Sequence, residues 1–477
     1  MKKYLLMVLL FAALGANAQW QPDVRLTNNS AESTTSNNNA RSVASNGNVV
    51  HVVWEDSRDG NSEIYYKRST DGGLSWGADI RLTNDAGFSS SPSIAVSAEI
   101  VHVTWIDDRG GSNRIYYKRS TNSGTNWEAD RLMTNYTSGS YYPSIAASTS
   151  VVHLVWTEYR DSNPEIIYNR STDGGLSWGQ DIRLTNDPAT SFSPSVTVSG
   201  ELVLIFWSDG RDGNFEIYYK RSSNGGANWA DDTRFTNNTA VSYMPTVAIS
   251  ASLVHVVWQD YINSKWELYY ERSTDGGLSW GASTRLTISS GNAALPSITA
   301  SASLAHVVWC DERYYNTEIY YKRSIDGGAN WGADERLTND TNASLNPSVA
   351  VSASRVHVVW RDTRAGNSEI YYKQNITGNT GITRINSEIP TEYTLGQNYP
   401  NPFNARTAIR FQLPAVSEVQ VKVYDVMGRE VQTLVNERLQ PGTYSTQWNA
   451  SAYSSGVYFY RMTTDGFSET KRMLLIK

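Results

Sequence analysis

The side chains that could do chemistry in this 477-residue chain fall into four sets: six histidines, 47 acidic against 41 basic residues, one cysteine, and an aromatic load with 16 tryptophans and 29 tyrosines. A single cysteine, Cys310, excludes a disulfide framework and a cysteine-based zinc site. A formal charge of -6 offers no basic stripe for phosphate, so no nucleic-acid partner is expected. There is no G-x-S-x-G, H-E-x-x-H or P-loop pattern. His51, His102, His153, His255, His306 and His357 recur at regular intervals, with Leu204 where a seventh would stand. A metal site or catalytic triad needs its groups to converge, so histidines dispersed in this way read as structural, and no metal or cofactor is expected. More promising are residues that break an otherwise regular pattern. Arg41, Arg114 and Arg361 stand where their counterparts are proline, glutamate, or small and polar. Tyr136, Tyr141, Tyr142, Tyr159, Phe192, Phe215, Tyr243, Tyr261, Trp266, Tyr314 and Tyr315 are aromatic at variable positions. Aromatic faces stack on sugar rings, and the planar guanidinium fork holds carboxylate or sulfate. Together they suggest a cleft for an anionic glycan; the plainer reading is loop variation with tyrosines packed at strand ends.

The pattern being broken is a repeat of 51 residues. Trp54, Trp105, Trp156, Trp207, Trp258, Trp309 and Trp360 each end a VHVVW-like strand, and Pro92, Pro143, Pro194, Pro245, Pro296 and Pro347 precede all but the first of them by 13 residues. A polar loop, an EIYYKRS-like strand, a turn of the type STDGGLSW and a short RLT strand complete each unit. Seven units of four short strands predict an all-β fold, a seven-bladed β-propeller, in which radial repetition limits exposed sheet edges. An unpaired strand at Val24 to Thr27 is expected to close the last blade, with Ile382 to Ile385 as its competitor. What every unit contains serves packing and turns; what one unit alone contains can serve a site. By that rule the acid two residues after each strand tryptophan and the arginine four after it, present in six units, form one ion pair per blade that pins the loop; a ring of Asp lining a channel mouth is the sharper alternative. Blade five breaks the arginine column with Ile262.

The turns carry Asp71, Trp76, Asp173, Trp178, Asp275, Trp280, Asp326 and Trp331, with Asn122 and Asn224 at the acidic position in two units. Asn keeps an Asx-turn bond but loses the charge a cation would want, so these turns read as structural locks and not as calcium loops. The six S-x-D-x-G-x-x-W-like segments resemble the Asp boxes of the sialidase-like (BNR repeat) propeller superfamily over roughly residues 20 to 386. That resemblance implies a fold shared by sialidases, other glycosidases, sorting receptors and non-enzymatic surface proteins.

Both ends carry addresses. Lys2 and Lys3, the apolar run Leu5 to Leu14 and Ala16-Asn17-Ala18 read as a signal peptide over 1–18, too short to span a bilayer as a helix. No cysteine follows it for lipid attachment, and no transmembrane segment is expected. The tail changes to longer alternating strands, predicting an antiparallel sandwich. Its pieces NYPNPFN (Asn398 to Asn404), KVYDVMGREV, PGTYSTQW, SSGVYFYRM and KRMLLIK resemble the type A C-terminal sorting domain of type IX secretion cargo, which implies an Ig-like β-sandwich, recognition by that export machinery, and a secreted or cell-surface destination. The expected organisation is signal peptide 1–18, propeller 19–386, linker 387–394 and sorting domain 395–477, in a monomer.

Sialidases place their first arginine in an R-I-P motif two residues before the inner-strand proline. The matching positions here are Asn39, Ser90, Tyr141, Phe192, Tyr243, Ala294 and Leu345, and none is arginine. The reading therefore leans away from an enzyme, toward a non-catalytic propeller that binds glycan or another surface polymer. A sialidase-like exo-glycoside hydrolase is the alternative, and a protein-interaction or adhesion propeller the second. Thirteen of the 16 tryptophans belong to the repeat; Trp448 falls in the tail, Trp20 borders the cleavage site, and only Trp266 breaks a column.

Overall fold

The computed structural model describes residues 20–36, 40–134, 136–160, 163–352, 355–376, 382–386, 389–439, 441–450 and 453–476; residues 1–18, read from the sequence as a signal peptide, lie outside them. The described residues contain strands and turns, and no helix among them is long and apolar enough to cross a membrane. They form two compact units, Trp20–Asn379 and one built on Thr380–Lys477.

The first unit is a ring of seven antiparallel sheets, each built from an inner, second, third and outer strand. The second strands, such as Val49–Asp56 and Leu202–Asp209, are covered on both faces by neighbouring blades, so they run nearly continuously apolar instead of alternating. Their terminal tryptophans are at most 1% exposed, each burial worth about 4–6 kcal/mol. Adjacent inner strands also touch through polar links: Ser42 N donates to Ser348 Oγ at 3.0 Å, and Val349 N to Ser297 Oγ at 3.3 Å.

Inner strands of blades two to seven share one irregularity. The residue before each proline (Ser91, Tyr142, Ser193, Met244, Leu295 and Asn346) has φ between 50° and 55° at a shift in ladder register. Left-handed φ at a non-glycine residue costs roughly 1–2 kcal/mol. Proline needs no ladder hydrogen bond, so it tolerates the bulge.

The N-terminal strand closes the ring as expected. Val24–Arg25 pairs with Tyr372 and Tyr371 of the third strand of blade seven, whose inner strand is Ser344–Ser352. Ile382–Asn386 instead pairs with Gly442–Asn449 in the second unit, so it does not compete for closure, and the first unit ends before it. Trp20, placed by sequence at a cleavage site, meets Tyr321 edge-on at 5.0 Å. The turn tryptophans do the same to the preceding blade, as Trp76 does to Tyr372 at 4.8 Å and Trp127 to Tyr66 at 4.9 Å. Trp20 is therefore the seventh plug, and the N-terminal segment supplies blade seven with both its outer strand and its tryptophan.

Blade one also departs from the sequence alignment. Its inner strand is split into Ser33–Thr34 and Val43–Asn46, and Thr34 pairs with Glu55 as Ser90 pairs with Ile106. Thr34, not Asn39, thus holds the ladder position assigned to the sialidase arginine; Asn39 lies outside the described residues. Arg41 keeps the place of the prolines, two residues before Val43 as Pro92 is before Ile94, but lies outside both pieces of the split strand.

The second unit is a sandwich of two four-stranded sheets around the fully buried Trp448. Asn398 Nδ2 donates to Thr407 Oγ1 at 2.9 Å and its N–H to Tyr460 Oη at 2.8 Å, which ties the NYPNPFN segment to two strands of the sandwich.

Candidate functional face

Loops between second and third strands, and the connections into inner strands, lie at one end of the ring, and a repeated network holds them there. In blade one, Asp56 accepts from Trp54 Nε1 at 2.8 Å and from both arms of the Arg58 fork at 2.8 and 2.6 Å. Arg58 continues to Asp79 at 2.7 Å and lies over the Tyr65 ring at 4.4 Å, and Lys67 meets Asp79 at 2.8 Å. Blades two, four and six repeat it through Arg109, Arg211 and Arg313 with Asp130, Asp232 and Asp334. Blade seven does so with Asp23, brought by the N-terminal segment, on Arg364 and Lys373. Burial pushes the Asp56 carboxyl up, but hydrogen bonds from Arg58, Trp54 and Ser33 outweigh it and hold it below the ordinary range. These acids are committed to pinning loops. In blade three, where Ile167 replaces the ring, Tyr136 lies under Arg160 at 4.1 Å. Tyr136 is thus a substitute part of the network.

The histidines are likewise committed. Each described ring Nδ1 lies 2.6–2.9 Å from a buried tyrosine hydroxyl, as His102 does to Tyr117 at 2.8 Å. Burial first, and a nearby arginine second, lower the imidazoles of His51, His102 and His357 to about 3, so they stay neutral. At the opposite end of the ring, Asp71 Oδ1 accepts from the backbone of Leu74 and Ser75 at 3.0 and 2.9 Å, and Asn122 Oδ1 accepts from Asn126 N at 2.8 Å. Asp and Asn do one job there.

The aromatic column-breakers behave differently. Phe192 contacts Phe215 at 5.0 Å and Tyr243 at 5.1 Å; Tyr243 reaches Trp266 at 6.2 Å; Trp266 meets Tyr261 at 5.1 Å across the ladder pair that ends blade five. Tyr141 contacts Tyr142 at 6.3 Å and Tyr159 at 5.5 Å. The Tyr243 hydroxyl is pushed up to about 12, by burial first and then by the charges of the Tyr142 and Tyr159 hydroxyls. Five rings of blades four and five and three of blade three thus form two groups on adjoining blades, partly open to solvent at Tyr159 and Tyr261, 40% and 45% exposed. Tyr314 and Tyr315 stand apart on blade six, exposed, with Arg336 over the Tyr314 ring at 5.1 Å.

The three arginines occupy three layers. Arg41 reaches into the central channel, a cavity of about 220 Å³ lined by inner-strand residues, and its Nη2 lies 3.4 Å from the Val247 carbonyl of blade five. Arg361 is on a second strand opposite Leu345, and Arg114 on a third strand opposite Asp107. Arg361 falls in the column just after each strand tryptophan, where the other blades carry mostly small or polar residues. Ser208 Oγ accepts from Met244 N at 3.1 Å and Gln259 Oε1 from Leu295 N at 3.0 Å, while Glu55 and Cys310 accept from the backbone of Ser91 and Asn346. In these four blades the column latches the left-handed residue of the next blade; Ile106 in blade two and Thr157 in blade three do not. After Arg361 comes blade one, whose inner strand is split, and an arginine there has no such bulge to hold.

Residues 397–477 match the family described as the secretion system C-terminal sorting domain, so the chain is directed to type IX secretion and is secreted or displayed at the cell surface. No curated protein matches the sequence. Among solved structures, the polysaccharide lyase Uly1 superposes with a TM-score of 0.52 at 10% identity, over 75% of this chain and 100% of its own. A GH93 α-L-arabinofuranosidase of Fusarium graminearum gives 0.45 at 14% identity over 59% and 91%, and Trypanosoma rangeli sialidase 0.45 at 10% over 96% and 90%. At these identities the likeness speaks for the fold alone: the chain carries a β-propeller followed by a secretion-system sorting domain.

Proposed function

We propose that the exported propeller binds a glycan or a similar surface polymer along the aromatic seam of blades four and five and the adjoining rings of blade three, without turning it over. The observation that carries this is the continuity of the rings. Phe192, Phe215, Tyr243 and Trp266 touch one another across two blades, while Tyr159 and Tyr261 leave edges and hydroxyls at the surface. Stacked rings with polar handles suit sugar rings, whose axial C–H faces are apolar and whose rims carry hydroxyls. The arginines do not form a carboxylate clamp with this seam, so the reading does not require an anionic sugar.

The test is binding of the full chain to a glycan array and to insoluble polysaccharides, alongside a panel of fluorogenic glycosides. Binding that falls about tenfold or more in Trp266→Ala and in Tyr159→Ala, without sugar release, supports the reading. Sugar release would favour the exo-glycosidase alternative. Silence in both assays, with specific capture of a surface protein, would favour an adhesion propeller.

A further inference from the structure

Blade five has lost its pinning network and keeps a hole in its place. The arginine position is Ile262, the lysine position is Glu271, and the second aspartate is Ser283, while Asp260 and Tyr269 remain. The loop that elsewhere carries the arginine is a tight hairpin here, with Ile262 paired to Lys265 across Asn263 and Ser264, both at positive φ. What is left is a cavity of about 650 Å³ at the seam of blades four and five, lined by Trp258, Asp260, Tyr269, Glu271, Ser283 and the Phe235 segment. That volume is in the range of small-molecule sites.

The intact blades record what belongs in this space. Each of blades one, two, four, six and seven holds a guanidinium bidentate on the first aspartate, 4.3–4.6 Å over the tyrosine ring that corresponds to Tyr269. In four of them a lysine ammonium also reaches the carbonyl of the preceding blade's outer strand, as Lys118 does to Leu82 and Lys322 to Leu286. The position matching Leu82 and Leu286 is Phe235. In an intact blade the two carboxylates and two cations of the network cancel. Blade five has two carboxyls and no cation, a difference of two negative charges. Its own nearby cations are engaged elsewhere: Lys265 and Arg285 both sit on Glu267, at 3.0 and 2.6 Å. Asp260 keeps only neutral donors, Trp258 Nε1 at 2.7 Å and Asn238 Nδ2 at 3.3 Å among them. Burial raises its carboxyl to about 6 and that of Glu271 to about 7, as expected for acids whose cations have been removed.

We infer that this cavity is a binding site for an alkylguanidinium cation, held by the Asp260 carboxylate and the Tyr269 face with Glu271 as the second countercharge. The group would occupy the place of Arg58 or Arg211 in the intact blades and make the same fork and ring contacts. The cation comes either from a free guanidino compound or from an arginine side chain of a partner protein.

The full chain is titrated by calorimetry with arginine methyl ester, with N-acetyl-arginine methylamide, and with citrulline methyl ester, in which a neutral urea replaces the guanidinium. At least tenfold tighter binding of an arginine probe than of the citrulline ester is expected. Binding of both arginine probes points to a protein side chain as sufficient, and binding of the ester alone to a free guanidino compound. Glu271→Lys restores the lysine of the intact blades and should abolish this binding without lowering the thermal midpoint. Tyr269→Leu should weaken it, and Trp266→Ala should leave it unchanged, which separates this site from the aromatic seam. Equal affinity for arginine and citrulline esters, or full binding in Glu271→Lys, overturns the proposal.

Discussion

If the N-terminal segment is an integral outer strand of blade seven, Leu26→Ala should cost as much as the same change within an uninterrupted blade. Leu26 and Leu82 provide a matched pair: each is 4% exposed, and each donates its N–H at 2.8 Å, to Ile370 O and Ile64 O respectively. Leu26 packs with Val43, Val50, Tyr372 and Ile370, residues from both blades that the closure joins. Truncating a buried leucine removes transfer energy and leaves a cavity, for about 2–5 kcal/mol; a two-residue outer strand can relax, so about 2–3 kcal/mol is expected at either site. Urea unfolding followed by tryptophan fluorescence reads this directly, because the strand tryptophans are buried and the plug tryptophans half-buried in the same unit. The informative quantity is the ratio of the two losses. A strand that merely rested on the edge could fray independently, and Leu26→Ala would then register only a small part of its burial energy. A loss under about 1 kcal/mol for Leu26→Ala beside about 2–3 for Leu82→Ala would refute closure by this segment. Trp20→Ala and Trp76→Ala should show the same parity, since both rings meet a tyrosine of the preceding blade edge-on.

His102→Leu should destabilise by about 1–3 kcal/mol by leaving the Tyr117 hydroxyl without its partner at 2.8 Å, and adding Tyr117→Phe should recover much of that; a denaturation double-mutant cycle with no coupling would contradict the assigned role. Asp209→Asn and Asp260→Asn should act in opposite directions at neutral pH. Arg211 helps hold the Asp209 carboxyl low, so its stabilisation is present above the unfolded pKa and is lost as pH falls through the folded one; the amide should cost about 1–3 kcal/mol at pH 7. Asp260 has its folded pKa raised from 3.8 to about 6, so wild-type stability should fall as pH rises through that window, and Asp260→Asn should flatten the fall in a thermal-midpoint profile. Asp71→Asn should leave the thermal midpoint unchanged, with or without a chelator, whereas Asp71→Ala should lower it, because Asn122 already fills the same turn in blade two.

The propeller was legible because seven copies supply their own control: a histidine three residues before six of the seven strand tryptophans serves what the blades share, and its tyrosine partner shows what. Legibility failed where the chain compensates across a distance that spacing does not encode. Tyr136 looked like a ligand aromatic because its column varies, yet it stands in for the ring lost at Ile167. Trp20 looked incidental because its blade lies more than 300 residues away in sequence, beside Tyr321. Asn39 was aligned by counting back from Trp54, but the insertion before Val43 moves the ladder partner of Glu55 to Thr34. The aromatic seam could be suspected from sequence but not assembled, since contact between Tyr243 and Trp266, or between Phe192 and Tyr243, depends on how neighbouring blades abut.

Blade five shows why a broken column must be judged together with its partners. Loss of the arginine at the Ile262 position alone would leave two carboxylates sharing one lysine around a hole, a configuration that buried charge makes unfavourable. The remaining columns changed with it: the second aspartate became Ser283, which removes one negative charge, but the lysine became Glu271, which restores one. Simple decay of the network would be expected to end in neutral or apolar filling, as Leu204 fills the space of a histidine in blade four. Here the acid was kept, a second was added, and the aromatic floor was left in place. A blade that merely tolerates the loss of an internal cation has no need of a second carboxyl; one that takes its cation from outside does.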